Sequence, residues 1–534
     1  MNNFKKASAL LLALAMVLTV AACGKPAAPS SATPPPPAAP STDGAPASKY
    51  PDPSKPVTLD LFADITWLDF EEMDGIIPQE ITKQTGVTIK MTKATDKEQV
   101  MLLMSSNDLP DLVVTGSSAK LTKFSDPAVS WAWNDLIAQY CPDWEVPAVE
   151  QKVNAMLGSD GKYYTLKQNF NTIEQLKAAG TIGLNYGQFY IREDISKEIG
   201  SPKLNNTESI IATLKKVQST YPDMVPLVIN PRQYGAFHSL VGFDGSKPTD
   251  KDGNYVHAFS DPKHREMMRT LNRFYREGFM QKENFTYTED AQFEQYIANG
   301  KAFMVTHYAG NDEQKYTTMV SKTVPGASFV QVPVRDNFNE TFSVTGWAGV
   351  FISKNCKDPE TAIKLMRWVR EPENQRTCML GIEGEDWSKN ADGTITYLPR
   401  LANSMKEGTR EKMYNPMTFV LGSADYITEN RDLFYAGATP ATKLIFDEIY
   451  KRASFSNVVD LCYPKTGTDE NVIYSKLSDL DTEYMSKLGI AASEAEFDKL
   501  YDQMVVEAEK IGLSQLNKYL TDTYNKLSKD FGTN

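Results

Sequence analysis

Between Val57 and Thr115 the hydrophobic period of the chain switches repeatedly, and this constrains the fold more than any other feature of the sequence. Val57-Thr58-Leu59-Asp60-Leu61-Phe62 alternates apolar and polar residues, the pattern of a strand. Ile76 to Thr85 carries helical spacing and is closed by Gly86. Val87, Ile89 and Met91 alternate again. Asp96 to Ser105 places Val100, Leu103 and Met104 on one helical face, and Asp111-Leu112-Val113-Val114-Thr115 has the character of a buried strand. Strand, helix, strand, helix, strand in one short stretch predicts an α/β domain with parallel strands, because parallel neighbours need a crossover long enough to hold a helix.

The pattern restarts further on. Thr207 is placed to cap a helix whose apolar face is Ile210, Ile211, Leu214 and Val217. Asp261-Pro262 and Asp358-Pro359 each put a capping carboxylate before a proline at the first helical position. Phe293 and Ile297 share a helical face that Gly300 ends. Ala302 to Val305, Phe329 to Val332 and Val350 to Ser353 have the character of further buried strands, and the last quarter is mostly helical. At roughly 150 residues per domain, 534 residues predict two or three domains.

With 41% apolar residues the chain can build sizeable cores. Acidic residues outnumber basic ones by 68 to 56, against the basic excess that nucleic-acid binding requires. Four His and five Cys are too few for a metal-rich or disulfide-dense protein. A helix from Asp358 to about Arg370 would hold its ends roughly 20 Å apart, so a Cys356–Cys378 disulfide would need the chain to double back. Cys141, Cys356, Cys378 and Cys462 are therefore expected as small buried thiols.

The N-terminus points to export. Lys5 and Lys6 precede an apolar run from Ala9 to Ala22, too short to span a membrane but of signal-peptide length. It ends in Val20-Ala21-Ala22-Cys23, which resembles a bacterial lipobox, with small residues just before a cysteine that becomes acylated. Residues 1–22 are thus expected as a lipoprotein signal peptide and Cys23 as the lipid attachment site. Residues 23–56 are rich in Pro, Ala and Ser, including Pro34-Pro35-Pro36-Pro37, and suit an extended tether. The expected location is the outer side of the cell membrane, with the body held there by its acyl chains.

Motifs for chemistry are scarce. There is no phosphate loop, no G-x-G-x-x-G, no H-E-x-x-H and no G-x-S-x-G. His238, His257, His264 and His307 are scattered. Asp250-Lys251-Asp252-Gly253-Asn254 begins like a calcium loop, but Tyr255 stands where such loops need glycine and Asp261 where they need Glu, so an acidic hairpin turn is expected. No catalytic residue, metal or cofactor is assigned. An exported carbohydrate-active enzyme stays open as an alternative, because the carboxylate pairs of glycosidases are far apart in sequence.

Lipobox, tether, α/β body and helical tail together resemble the extracellular solute-binding proteins of ABC importers, most closely the long lipoprotein branch of the sugar-binding family 1. The similar segments are Ser105-Ser106-Asn107-Asp108-Leu109-Pro110-Asp111-Leu112, Asp160-Gly161-Lys162-Tyr163-Tyr164, Tyr190-Ile191-Arg192-Glu193-Asp194-Ile195, Asn299-Gly300-Lys301-Ala302-Phe303-Met304 and Gly381-Ile382-Glu383-Gly384-Glu385-Asp386-Trp387. The resemblance implies an α/β, two-lobed periplasmic-binding-protein-like fold with a hinge and a helical C-terminal part. Lobe one would be 57–180 and 334–380; lobe two would be 181–333 and 381–534. It also implies a monomer that captures an oligosaccharide between the lobes, breaks no bond in it, and delivers it to ABC permease subunits. A non-sugar solute such as a peptide is the rival ligand.

Sugar sites combine aromatic platforms with polar groups that fix orientation. The residues the resemblance brings near the cleft are Trp67, Asp108, Tyr164, Tyr186, Arg192, Tyr234, His307, Tyr308, Trp347 and Trp387. Trp67 just follows the first strand, where open α/β sheets bind ligands. Trp347 lies between Gly346 and Gly349, whose missing side chains would let a ligand approach the backbone.

Overall fold

The computed structural model describes residues 48–184, 186–230, 234–287, 289–307 and 312–532. Cys23 and the tether up to Ala47 lie outside the described residues. Nine strands frame the body: β1 (Val57–Asp64), β2 (Val87–Lys93), β3 (Leu112–Thr115), β4 (Gln188–Arg192), β5 (Val225–Val228), β6 (Ala302–His307), β7 (Phe329–Gln331), β8 (Thr341–Ser343) and β9 (Gly349–Ile352). Eight of them form two four-stranded sheets, ordered β2-β1-β3-β9 and β5-β6-β4-β7, while β8 pairs in parallel with the short strand Ser454–Ser456.

The first sheet follows the sequence pattern. β1 pairs in parallel with β2 and β3, and helix α1 (Ile76–Thr85) makes the first crossover, ended by Gly86 in the left-handed region at φ 70°. Helix α2 (Gln99–Ser105) makes the second; only Val100 of its expected apolar face is buried. β9 joins from far along the chain and runs antiparallel to β3. Side chains alternate as the strand period demands. Leu59, Leu61, Ala63, Leu112 and Val114 enter a core with the helix Pro359–Arg370, while Phe62 and Val113 face Val100, Leu121 and Phe124.

The second sheet has β5 and β6 parallel and β4 antiparallel between β6 and β7. Phe189 and Ile191 of β4 pack with the helices Thr207–Thr220 and Pro262–Arg276; Tyr190 points to the opposite core with Phe293 and Ile297. Asn206, not Thr207, caps the former helix, its side chain accepting from the Ser209 amide. Asp261 and Asp358 cap their helices as their prolines predict. The long C-terminal helices Asp469–Gly489, Glu494–Ile511 and Leu513–Phe531 also bury their apolar stripes against this core.

Trp387, Ile395, Leu401, Tyr414 and Leu421, expected beside the second sheet, pack instead into the core of the first. The chain returns to that core after β9, and residues as far as Leu433 and Ala436 still pack against it. A smaller core joins the connecting segments: Leu176, Ile182, Leu184, Phe338, Phe342 and Val344 pack with Phe446 and Ile449 of the helix Pro440–Arg452. The four expected thiols are free and buried, and burial pushes those of Cys356, Cys378 and Cys462 up to about 12. Asp250 accepts from the amides of Asp252 and Asn254 inside a turn closed by the Thr249–Tyr255 bridge, the acidic hairpin expected there.

Candidate functional site

The loop after β1, the segments leading into β4 and β9, and β8 itself line one cavity of about 680 Å³. In the first sheet, Asp64 is in register with Thr115 and Thr115 with Gly349. The loops after β1 and β3 and the entry to β9 therefore emerge at one edge, carrying Trp67, Gly116 and Trp347. In the second, Gln188 at the start of β4 is opposite His307 at the end of β6. Gly187 and the helix Gly235–Val241 accordingly reach the cavity from that side. A Cβ on Gly187 would lie 2.2 Å from the carbonyl carbon of Gly235, so only glycine permits this backbone crossing.

Three aromatic rings cluster on the first-sheet side. Trp67 and Trp347 stack with centroids 6.1 Å apart and planes 26° from parallel. Phe419 meets both edge-on, at 5.2 and 5.8 Å. Trp67 is 54% exposed and Trp347 40%, unusual for indoles, which are mostly buried. Gly116 sets the pose of Trp347: a Cβ there would sit 2.6 Å from the indole ring.

Polar groups line the rest. Asn169 holds a left-handed backbone at φ 58°, which Asn tolerates better than most residues, and its amide N–H donates to the Ala424 carbonyl at 2.9 Å. Its side-chain amide donates to the Glu429 carboxylate. Burial pushes the Glu429 carboxyl up to about 7, against the pull of the Asn169 amide. Glu429, Asn430 and Phe434 come from a π-helical turn, Glu429–Tyr435, a wide-turn geometry frequent at functional sites. Glu340 lies 3.3 Å from Nδ1 of His238, and its carboxyl is also raised by burial, with His238 opposing. Asp460 accepts from the Thr345 hydroxyl at 3.3 Å. Stacked rings beside fixed carboxylates and amides can hold a ligand with flat apolar faces and hydroxyl edges. Among the described residues no group of three or more His, Cys, Asp or Glu side chains could hold a metal ion.

The profile of the bacterial extracellular solute-binding proteins matches residues 77–383. The chain belongs to this family. No curated protein sequence gives a significant match to this solute-binding protein. Solved structures do match its fold. An alginate-binding protein solved without calcium is 19% identical, with TM-score 0.62 over 88% of this chain and 98% of that one. An N-glycan transport solute-binding protein from Streptococcus pneumoniae is 14% identical, with TM-score 0.60 over 89% and 99%. The S. pneumoniae ABC-transporter substrate-binding protein FusA, in complex with kestose, is 16% identical, with TM-score 0.59 over 89% and 100%. At these identities the likeness establishes a periplasmic-binding-protein-like α/β fold.

Of the expected site residues, Trp67, Tyr186 and Trp347 line the cavity of the binding protein. Tyr186 presents only part of its ring; its hydroxyl accepts from the buried Arg335 at 2.8 Å. The others lie elsewhere. Tyr164 is buried in the core behind β1, donating to Asp160 at 2.5 Å. Trp387 is a core residue whose indole N–H donates to the Gly381 carbonyl at 3.0 Å. Arg192 is buried against Asp194 at 2.6 Å and the Gly300 carbonyl at 3.2 Å, an internal tie outside the cavity lining. Asp108 is exposed in the turn after α2. Tyr234 packs half-buried on the second core, beside the cavity-lining Gly235. His307 is bonded to Asp312 and stacks on Phe293 at 6.2 Å. Tyr308 lies outside the described residues. The glycines flanking Trp347 serve packing: a Cβ on Gly346 would strike Cβ of Lys167 at 2.6 Å, and one on Gly349 would strike Thr165 at 2.8 Å.

The cavity residues that sequence reasoning missed are Phe419, Asn169, Glu429, Glu340, His238 and Asp460. They come from separate segments and carry no motif. The one local signal is the glycine set: Gly187 and Gly235, whose backbones touch, and Gly245, where a Cβ would lie 2.3 Å from the His238 ring.

Proposed function

We propose that this protein captures an oligosaccharide in the cavity and hands it, unaltered, to the permease subunits of an ABC importer. The observation that carries the reading is the stacked, half-exposed Trp67–Trp347 pair, with Phe419 edge-on, facing the same cavity as fixed carboxylates. Pyranose rings offer C–H faces to such platforms and hydroxyls to such acceptors. The fold neighbours point the same way: they include an alginate-binding protein, an N-glycan transport protein and a protein in complex with kestose. The protein works as a monomer, held outside the cell by acyl chains on Cys23 and spaced from the bilayer by the proline-rich tether. No helix among the described residues is long and apolar enough to cross a membrane, in keeping with a lipid anchor.

The test is calorimetric titration of the purified body with a panel of oligosaccharides, followed by chromatography of the mixture. Saturable binding with the sugar recovered intact is expected. Cleavage products would identify an enzyme, and titration of peptides but not sugars would identify a peptide carrier.

A further inference from the structure

We infer that Asn430 sets ligand specificity, its side-chain oxygen being a fixed acceptor that requires a hydroxyl or N–H donor at one position of the bound sugar. This rests on the oligosaccharide reading and deepens it. Buried polar atoms of folded proteins are nearly always hydrogen-bonded, so an exception calls for a reason. Among the described residues that line the cavity, one buried side-chain polar atom has no partner, Oδ1 of Asn430, in a residue 3% exposed. The other amide and carboxylate side chains of the lining are tied to protein groups: Asn169 to Glu429, Glu340 to His238 and Asp460 to Thr345.

The protein sets the direction of that oxygen. Nδ2 of Asn430 donates to the Tyr426 carbonyl at 2.8 Å. A carbonyl cannot donate, so the amide cannot turn over without setting oxygen against oxygen. The backbone is pinned as well, because the Asn430 carbonyl accepts from the Gly183 amide at 3.0 Å. Only glycine allows that approach: a Cβ on Gly183 would lie 2.9 Å from Cβ of Phe434 and 3.1 Å from the Asn430 carbonyl oxygen. An amide oxygen accepts and never donates. A ligand with a bare C–H or an ether oxygen at this point would leave it unpaired in the closed site. Sites built around such a bond reject the analogue lacking the donor far more strongly than an apolar pocket rejects a missing methylene.

The probes are the best-binding oligosaccharide of the panel and its deoxy analogues, each lacking one hydroxyl or acetamido group. All are titrated calorimetrically into the wild-type protein and into Asn430→Leu, which keeps the side-chain volume and removes the acceptor. One analogue should bind the wild type about tenfold or more weakly than the parent sugar. Asn430→Leu should weaken the parent by a similar factor. The penalty for that one analogue should then largely vanish, while penalties at other positions persist. If Asn430→Leu does not fold, a crystal structure of the wild-type protein with the same sugar decides, and Oδ1 should lie about 2.7–3.2 Å from a sugar oxygen or nitrogen. Three results overturn the inference while the oligosaccharide reading stands: wild-type affinity in folded Asn430→Leu, undiminished penalties at every position in that variant, or a complex in which Oδ1 meets no sugar donor. If no oligosaccharide binds, the oligosaccharide reading itself fails.

Discussion

Trp67→Ala separates a ligand platform from a packing residue. A Trp side chain can bury about 150–250 Å². Trp67 is 54% exposed, so roughly 100 Å² remains for a ligand to cover. At about 25 cal/mol per Å², covering it is worth about 2.5 kcal/mol, or roughly a 60-fold change in Kd. What Trp67 gives to folding is smaller, chiefly its ring contacts with Trp347 and Phe419, at about 0.5–1.5 kcal/mol each. Trp387, 1% exposed with its N–H bonded to Gly381, is the internal control; its removal should cost about 3–5 kcal/mol. Calorimetric Kd and melting temperature are measured for both variants with the same oligosaccharide. Trp67→Ala should weaken binding by one to two orders of magnitude with a modest loss of Tm, and Trp387→Ala should lower Tm far more. If Trp67→Ala melts as low as Trp387→Ala and binds with wild-type affinity, the platform assignment is wrong.

Gly116→Ala, which touches no ligand, should still weaken binding several-fold by displacing the Trp347 indole, seen as a shift in tryptophan fluorescence; unchanged fluorescence and Kd would refute it. Glu429 titrates near 7 in the folded state against about 4.5 unfolded, so the folded protein holds more protons than the unfolded one between these values and its stability falls as pH rises through that window. Glu429→Gln should flatten this slope, worth up to roughly 3 kcal/mol, in melting curves from pH 5 to 8. Cys23→Ser should release the protein to the medium or leave an uncleaved precursor; membrane retention of a processed variant would count against the anchor. Ligand should draw the two sheets together over the cavity, giving a smaller radius of gyration in X-ray scattering; no change at saturation would indicate a rigid cavity.

The local patterns needed little beyond the sequence. Period-2 and helical spacing between Val57 and Thr115 placed three strands and both crossovers because each element's burial is decided by its own repeat. Asp261 and Asp358 marked helix starts because a cap acts within three residues. Trp67 was legible as a site candidate because a residue just past a parallel strand must emerge at the carboxyl edge of its sheet. Asn169, Glu340, Phe419, Glu429 and Asp460 were not, since nothing local distinguishes them. Their meeting depends on how the chain recrosses between the sheets. The same reason separates Trp347 from Trp387. Each is a tryptophan near glycines, yet tertiary packing lays one on Gly116 at the cavity and seals the other beneath Gly381. Sequence period determines which residues seek burial; only the tertiary arrangement decides which of them finish short of it, where a ligand can complete the contact.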